Sequence, residues 1–349
     1  MIVLALNSGS SSFKFGLYRV EGSRIEALLS ETISNPEPCD AIIHIEKLLV
    51  DSRMPAPNAV GHRIVHGGPK LRQHCLIDDA VLQQLEAATA FAPLHAPSAL
   101  AVIRFAQERF RGLPQVACFD TAFHADLPDV ARVLPISREL QTEGLRRYGF
   151  HGLSCESIVQ QLGNNLPERL VIAHLGNGAS VTAVKGGKSI DTSMGLTPTG
   201  GVIMGTRSGD LDPGVLLYLM REKKLDAARL EELVDHRSGL LGISGVAGDM
   251  RRLRDAASAN NADARLAIQM FCYSVRKQIA AMIAVLEGAN LIVFTGGIGE
   301  NDAAVRDEVC GGLSWIIDSA SHCAVRVLAS QEDEQIARHA RALISQNYS

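Results

Sequence analysis

Hydrophobic positions in this chain come in short runs that stop at small polar residues. Residues 2–6 (Ile-Val-Leu-Ala-Leu) are apolar and end in a turn of small residues, 7–12. Residues 13–20 resume a strand-like pattern, Gly22-Ser23 turns the chain, and 24–33 alternates loosely. Such runs, bounded by Gly, Ser and Asn, predict strands joined by tight turns. The same succession returns at mid-chain: apolar 170–173, a small-residue turn at 174–180, a strand over 181–184, a turn at 185–188 and a strand over 189–193. Gly9 and Gly178 fall at equivalent places, as do Ser11 and Ser180. A strand–turn–strand–turn–strand unit occurring twice points to two related domains; the alternative is two hairpins that arose independently. A third apolar run, 291–294, enters Thr295-Gly296-Gly297-Ile298-Gly299-Glu300-Asn301, and helical signal resumes over 303–313. A buried strand feeding a glycine-rich turn and a helix is suited to binding an anion or nucleotide.

Helices are legible between these runs. Asp212 as N-cap and Pro213 after it open a helix over 214–223. The strongest helical pattern covers 262–287, with Leu266, Met270, Ile279, Met282, Ile283 and Leu286 as its apolar stripe and Gly288 as its stop. Strands and helices mix throughout, so the fold class is α/β. At 349 residues the chain is long enough for two domains.

Composition narrows the function classes. Lys and Arg total 34 against 38 Asp and Glu, a formal net charge of −4, which argues against a nucleic-acid binder. The apolar stretches are broken by Gly or charge well short of the roughly 20 residues that span a bilayer. The N-terminal run lacks a basic flank and reads as a first strand, not a signal segment. Seven cysteines, widely spaced and without a CxxC pair, predict reduced thiols and a cytoplasmic setting.

Four polar clusters border the apolar runs. The first is residues 7–14, ending in Lys14. The second is Gly61-His62-Arg63-Ile64-Val65-His66-Gly67-Gly68. Its two histidines suit a metal only on a helix, and the Ile-Val centre favours a strand end, where Arg63 can grip a carboxylate or phosphate. The third joins Phe119-Asp120-Thr121-Ala122-Phe123-His124 to Tyr148-Gly149-Phe150-His151-Gly152. The fourth is Met204-Gly205-Thr206-Arg207-Ser208-Gly209-Asp210-Leu211-Asp212-Pro213. Each alone reads as a turn or helix entry. Two arginines, several histidines, one acid and glycine-rich turns together suit phosphoryl transfer, where positioning and charge neutralisation supply most of the catalysis. The Rossmann and P-loop fingerprints are both missing, which disfavours a dinucleotide-dependent dehydrogenase.

With His174-Leu175-Gly176-Asn177-Gly178 and 294–301 added, these motifs resemble the acetate kinases, within the acetate/propionate/butyrate kinase family, over nearly the whole chain. The resemblance implies two duplicated ribonuclease-H-like domains of the actin-like ATPase fold. These would be 1–119 with 333–349, and 120–332, with the active site in the cleft between them. It implies reversible transfer of the ATP γ-phosphoryl group to a short-chain carboxylate, with Mg²⁺ or Mn²⁺, in a homodimer. By position it gives Arg63, Val65, Leu94, Phe150 and Pro198 to the carboxylate, and Asp120, His151 and Arg207 to catalysis. Lys14, the stretch His174, Leu175, Gly176, Asn177 and Gly178, and the groups Asp249, Met250, Arg251 and Gly297, Ile298, Gly299, Glu300, Asn301 fall to the nucleotide. Asn7 and Glu332 fall to the metal. For Asp120 an electrostatic and metal-water role is preferred over proton transfer, since a carboxylate substrate is already ionised at neutral pH.

Two segments depart from the family. Thr197-Pro198-Thr199-Gly200-Gly201-Val202 stands where the family has Thr-Pro-Leu-Glu-Gly-Leu, a change that would enlarge or loosen the acyl wall and keeps propionate beside acetate. Near the C-terminus Gln331-Glu332-Asp333 replaces Asn-Glu-Glu. The chain is also shorter than most acetate kinases, and 33–61 and 313–325 are the expected sites of trimming. The rival from another class is a non-catalytic, actin- or chaperone-like nucleotide switch.

Overall fold

The computed structural model describes residues 1–9, 12–34, 36–91, 96–317 and 323–347. The first sheet contains β1 (Ile2–Ser8), β2 (Ser12–Glu21), β3 (Arg24–Ser34), β4 (Ala59–Ile64), β5 (Cys75–Leu76) and β6 (Gln115–Phe119), in the order β3-β2-β1-β4-β6-β5. The second contains β7 (Arg169–Leu175), β8 (Ala179–Lys185), β9 (Lys188–Thr192), β10 (Leu291–Thr295) and β11 (Ala324–Val327), in the order β11-β10-β7-β8-β9.

The two orders are the same arrangement. An antiparallel three-strand meander comes first, and parallel strands then add to the outer side of its first strand: β4 and β6 beside β1, β10 and β11 beside β7. Each meander also carries a register shift between its second and third strands, at Leu17/Tyr18 and at Ala183/Val184. The duplicated α/β architecture expected from the repeated turn pattern is thus present.

Two compact units result, one of residues 1–125, 150–161 and 331–349, the other of 126–149 and 162–330. The division differs from the sequence-based one because the chain re-enters the first unit. Gly152 N–H donates to Asp120 O at 2.9 Å, and Leu153 is buried in the first core.

Side-chain alternation on β1 builds both faces of the first unit. Leu4 and Leu6 pack with Phe15, Leu17, Ile42 and Val102. Val3 and Ala5 point the other way, onto Ile336, Ala337, Ala340 and Ile344 of the helix Glu332–Asn347. That helix approaches closely because β4 presents Gly61, where a Cβ would lie 2.5 Å from Ile336 Cγ2.

In the second unit Asp212 accepts from Gly214 N–H at 2.8 Å and opens the helix Pro213–Glu222. The long helix runs Ala262–Val285, and the chain turns away through Glu287 and Gly288, both at positive φ. One part of the expected stripe is corrected. Ile279, Met282, Ile283 and Leu286 are buried, but Leu266 and Met270 are 47% and 37% exposed. Met270 and Ile279 are nine positions apart, about 100° each, which places them on opposite faces. The buried row is continued instead by Ala264, Ile268, Phe271 and Val275. All seven cysteines are free, and among the described residues no helix is long and apolar enough to cross a membrane.

Candidate active site

Three neighbouring parallel strands of the first unit end side by side, and each delivers one polar side chain there. Asn7 comes from β1, Arg63 from β4, and Asp120 immediately follows β6. Carboxyl ends of such strands are where α/β sheets bind ligands. Arg63 donates from Nε and Nη2 to Asp120 Oδ2 at 2.9 and 2.5 Å. Its Nη1 donates to Asn7 Oδ1 at 3.2 Å. Asn7 Nδ2 in turn donates to Asp333 Oδ1 at 2.7 Å and Glu332 Oε2 at 3.1 Å. The predicted residues Asn7, Arg63, Asp120 and Glu332 are therefore brought together, and Asp333 joins them.

The electrostatics of this group are those of buried acids around one guanidinium. Asp120 is fully buried. Burial pushes its carboxyl up, Arg63 pulls it down, Glu332 raises it again, and the balance lies at about 6. Both Arg63 bonds fall on Oδ2, so Oδ1 is buried with no partner among the described residues. Burial works against the Arg63 charge, but Asp120 and Glu332 outweigh it and hold its pKa above the usual value. Burial likewise raises Asp333, with Asn7 and Lys14 opposing and Glu332 reinforcing. Lys14 stands opposite Asn7 in the β1–β2 register.

His151 is fixed by its neighbours. Its φ is +58°, a left-handed conformation rare for a non-glycine residue. On one side His124 Nε2–H donates to Phe150 O at 3.0 Å. Burial drives His124 down to about 4, so its ring is neutral. On the other side Gly152 lies so close to Asp120 that a Cβ would sit 2.2 Å from its carbonyl oxygen. The buried ring of Phe150 meets His66 at 5.6 Å between centroids. Val65 follows β4 in the same unit, whereas Pro198 belongs to the second unit. Leu94 and Ser11 lie outside the described residues. His62 is buried and bonded to Gln115 at 2.6 Å, consistent with its strand position.

In the second unit four loops converge. The turn Gly176-Asn177-Gly178 is closed by Gly176 N–H to Gly178 O at 2.9 Å. Gly205 N–H donates to Asn177 O at 3.1 Å, and a Cβ on Gly205 would lie 2.3 Å from Asn177 Oδ1 and 3.0 Å from Gly248 O. Gly296 is at φ +78°, with Leu175 O 2.8 Å and His174 Nε2 3.1 Å from where its Cβ would be. Only glycines allow backbone this close. Asp249 caps the helix Met250–Ser258 by accepting from Arg251 and Arg252 N–H, while the Arg251 side chain is exposed. Arg254 grips Asp302 through two 2.6 Å bonds, joining that helix to the segment after Asn301.

Glu300 is occupied structurally: its Oε1 accepts from Gly296 and Ser330 N–H, both at 2.9 Å. Gly297, Ile298, Gly299 and Asn301 fill the short helix after Thr295, where Asn301 Nδ2 donates to Gly297 O at 2.9 Å. Arg207 Nη1 donates to Pro198 O at 3.3 Å, so these two predicted residues share a loop. That loop is pinned where it departs from the family: Thr199 Oγ1 donates to Asp235 at 2.5 Å and Gly201 N–H to Asp210 at 2.7 Å.

Sequence reasoning favoured Glu332 and left open a neighbouring acid, which Asp333 is; it missed the Arg254–Asp302 pair. Asp333 had a signal, its place in the acidic opening of the C-terminal helix. The pair had none, since its members lie 48 residues apart.

Duplicated sheets, glycine-built turns and an arginine sunk among carboxylates define an α/β phosphotransferase of the duplicated ATPase type. The Acetokinase family profile matches residues 32–337, and the chain belongs to that family. An acetate kinase from Methylocella silvestris is 40% identical over 399 aligned positions, covering 99% of this chain and 98% of that one. That alignment is longer than this chain's 349 residues, so this chain is the shorter of the two. Among solved structures, Porphyromonas gingivalis acetate kinase matches with TM-score 0.87 and 33% identity, and a propionate kinase from Francisella tularensis with 0.90 and 35%. Each covers 98% of this chain and is itself 99% covered.

Proposed function

We propose that this chain is an acetate kinase, reversibly transferring the γ-phosphoryl group of ATP to acetate to give acetyl phosphate and ADP. The observation that carries the reading is the Arg63–Asp120 pair beside Asn7, Glu332 and Asp333, in a chain similar along its whole length to acetate kinases. Arg63 orients the acetate carboxylate with its remaining N–H. The likeness to acetate kinases assigns the methyl group to Val65, Leu94, Phe150 and Pro198. His151 and Arg207 stabilise charge on the phosphoryl group in flight, a task that positioning and electrostatics can perform without covalent help. Lys14, the turn from His174 to Gly178, and the segments around Asp249 and Gly297 hold the nucleotide, with Glu300 acting by shaping its turn. Asp120 keeps Arg63 aligned and stays ionised for the reaction.

The donor set around Asn7 is all oxygen, and the unpartnered Asp120 Oδ1 faces no protein donor, which suits a hard divalent cation. The donor atoms of Asp120, Glu332 and Asp333 do not all lie within 4.8 Å of one another, so these acids would hold Mg²⁺ only jointly with the nucleotide phosphates, whose charge the bound ion would neutralise. Asn7 Nδ2 donates to the two acids, so Asn7 serves that cation by orienting them. A homodimer fits the exposed Leu217, Tyr218 and Met220 of the helix Pro213–Glu222, and a cytoplasmic setting fits seven free thiols.

Hydroxylamine trapping with ATP, Mg²⁺ and acetate is expected to yield acyl hydroxamate; no product with acetate or propionate would sink the reading. A propionate preference is the second reading, favoured by the altered 197–202 loop and by the likeness to the Francisella propionate kinase. Specificity constants for acetate, propionate and butyrate decide between them. One methylene is worth about 1–3 kcal/mol in such a pocket, so the preferred acid should lead its neighbour by roughly tenfold or more.

The pH dependence follows from Asp120. Its folded-state carboxyl titrates at about 6, so the active ionised form is lost as pH falls through that value. The ionisation of Asp120 in the free protein, followed by infrared difference spectra against Asp120→Asn, should be centred near pH 6 and shift lower when the cation binds. A midpoint below pH 4.5 without cation would contradict this.

A further inference from the structure

Behind the acid cluster, still within the first unit, three titratable side chains meet that no step above uses. His74 precedes β5, Glu156 lies on the helix Gly152–Leu162, and His339 lies on the helix Glu332–Asn347. Their donor atoms all lie within 4.8 Å of one another. His339 Nε2 is 2.6 Å from Glu156 Oε2, His74 Nε2 is 3.5 Å from Glu156 Oε1, and the two imidazoles pack at 3.9 Å between centroids.

Two histidines and a glutamate invite a metal, but one hydrogen bond argues otherwise. Phe119 N–H donates to His74 Nδ1 at 3.0 Å. That nitrogen therefore carries no proton, and in the neutral ring the proton sits on Nε2, pointing at Glu156. A metal on Nε2 would require the proton on Nδ1, facing another N–H donor. The tautomer turns the proton of His74, not a lone pair, toward the carboxylate, at an ion-pair distance of 3.5 Å that stops short of a formed hydrogen bond.

What the trio joins is informative. Phe119, which holds His74, is the residue before Asp120. Glu156 sits one turn into the helix that starts right after His151. His339 is on the helix whose first residues are Glu332 and Asp333. A second tie runs the same way: Gln331 N–H donates to Ser157 Oγ at 3.2 Å. Glu156 is mostly buried, and although burial would raise its carboxyl, the hydrogen bond from His339 and the proximity of His74 bring it down to about 2.

We propose that Glu156, gripped by His74 and His339, is a positioning residue that ties together the three segments carrying Asp120, His151 and Glu332 and so sets turnover without touching substrate. The inference rests on the reading of those three as reaction residues. Misplacing a reacting group by about 1 Å can cost up to 100-fold in rate, while substrate contacts made elsewhere survive.

The test uses the full-length protein with Glu156→Ala, Glu156→Gln and His339→Ala, each checked for native circular dichroism and melting. Glu156→Ala should lower kcat about 10- to 100-fold with both KM values within about twofold. Should that variant not fold, His339→Ala, which frees only the C-terminal helix, should show the same split more weakly. Glu156→Gln should restore kcat to within about threefold of the parent. Its amide oxygen accepts from His74, and its N–H donates to His339, whose own tautomer can switch.

Unchanged kcat in a folded Glu156→Ala protein overturns the proposal. So does equal loss in the alanine and glutamine variants, which would assign the effect to charge. So does a rise in parent melting temperature with ZnCl₂ that His339→Ala abolishes, which would make the trio a metal site. Arg207→Ala, measured alongside, separates the two readings. If it too leaves turnover intact, the assignment of the reaction fails; if it abolishes turnover while Glu156→Ala does not, only the clamp falls.

Discussion

Arg63→Ala is expected to damage both stability and chemistry, by routes that can be separated. Asp120 is fully buried, and Arg63 is the group that pulls its carboxyl down. Removing one partner of a buried pair leaves an uncompensated charge and costs about 3–5 kcal/mol. The carboxyl can escape only by taking a proton, so its folded pKa should climb further above the unfolded value near 3.8. With the folded pKa raised, the folded state binds the extra proton between the two values. Stability therefore falls as pH rises through that window. The variant should be closer to the parent at pH 5 than at pH 8, as read by urea denaturation. Adding Asp120→Asn should recover most of the lost stability and none of the activity. For chemistry, a hydrogen bond to a charged substrate group lost on truncation predicts a fall in kcat/KM for acetate of about 10- to 100-fold or more. A pH-independent stability loss would mean that Asp120 is not the group left behind.

Arg207→Ala should produce the largest loss of turnover, about 1,000-fold or more, the range seen when an arginine that neutralises a transferring phosphoryl group is removed. Its backbone should stay in place. Gly239 packs so tightly under it that a Cβ there would lie 2.5 Å from Arg207 O, and Met204 N–H donates to Arg207 O at 3.2 Å. ATP affinity, measured by titration calorimetry, should consequently change only a few-fold, since the glycine turns at 176–178 and 296–299 do not depend on the guanidinium. Turnover lost with ATP binding retained is the signature of a transition-state contact. Intact turnover would favour the nucleotide-switch reading, in which Arg207 does no chemistry.

Much of this was legible in the sequence because it depends on local rules. β1, β2 and β7 to β9 announce themselves as apolar runs ended by Gly, Ser and Asn, and their repetition gives the duplication. Asp212-Pro213 and Gly288 mark helix ends by capping chemistry. Arg63 and Asp120 could be nominated because each stands at the end of an apolar run, whereas Asn7 was nominated by the family resemblance. What escaped was non-local. The face of Leu266 and Met270 is decided by what the helix meets. The re-entry of residues 150–161 into the first unit rests on contacts between residues far apart in sequence, among them Gly152 N–H to Asp120 O, His124 to Phe150 O and Gln331 N–H to Ser157. Asp333 and Glu332 are equivalent on paper, and only the reach of Asn7 Nδ2 shows that both serve the same spot.

The helix Glu332–Asn347 has a consequence for how the protein is made. It covers the face of the first sheet formed by Val3, Ala5, Val20 and Val116, and it also brings in Glu332 and Asp333. These residues leave the ribosome only after the entire second unit. During synthesis the first sheet must therefore wait with one apolar face bare, while the second unit, whose strands are all translated earlier, can already close. Nascent chains stalled before residue 331 would present a sticky surface to chaperones and hold none of the C-terminal carboxylates. The first unit is begun before the second and completed after it.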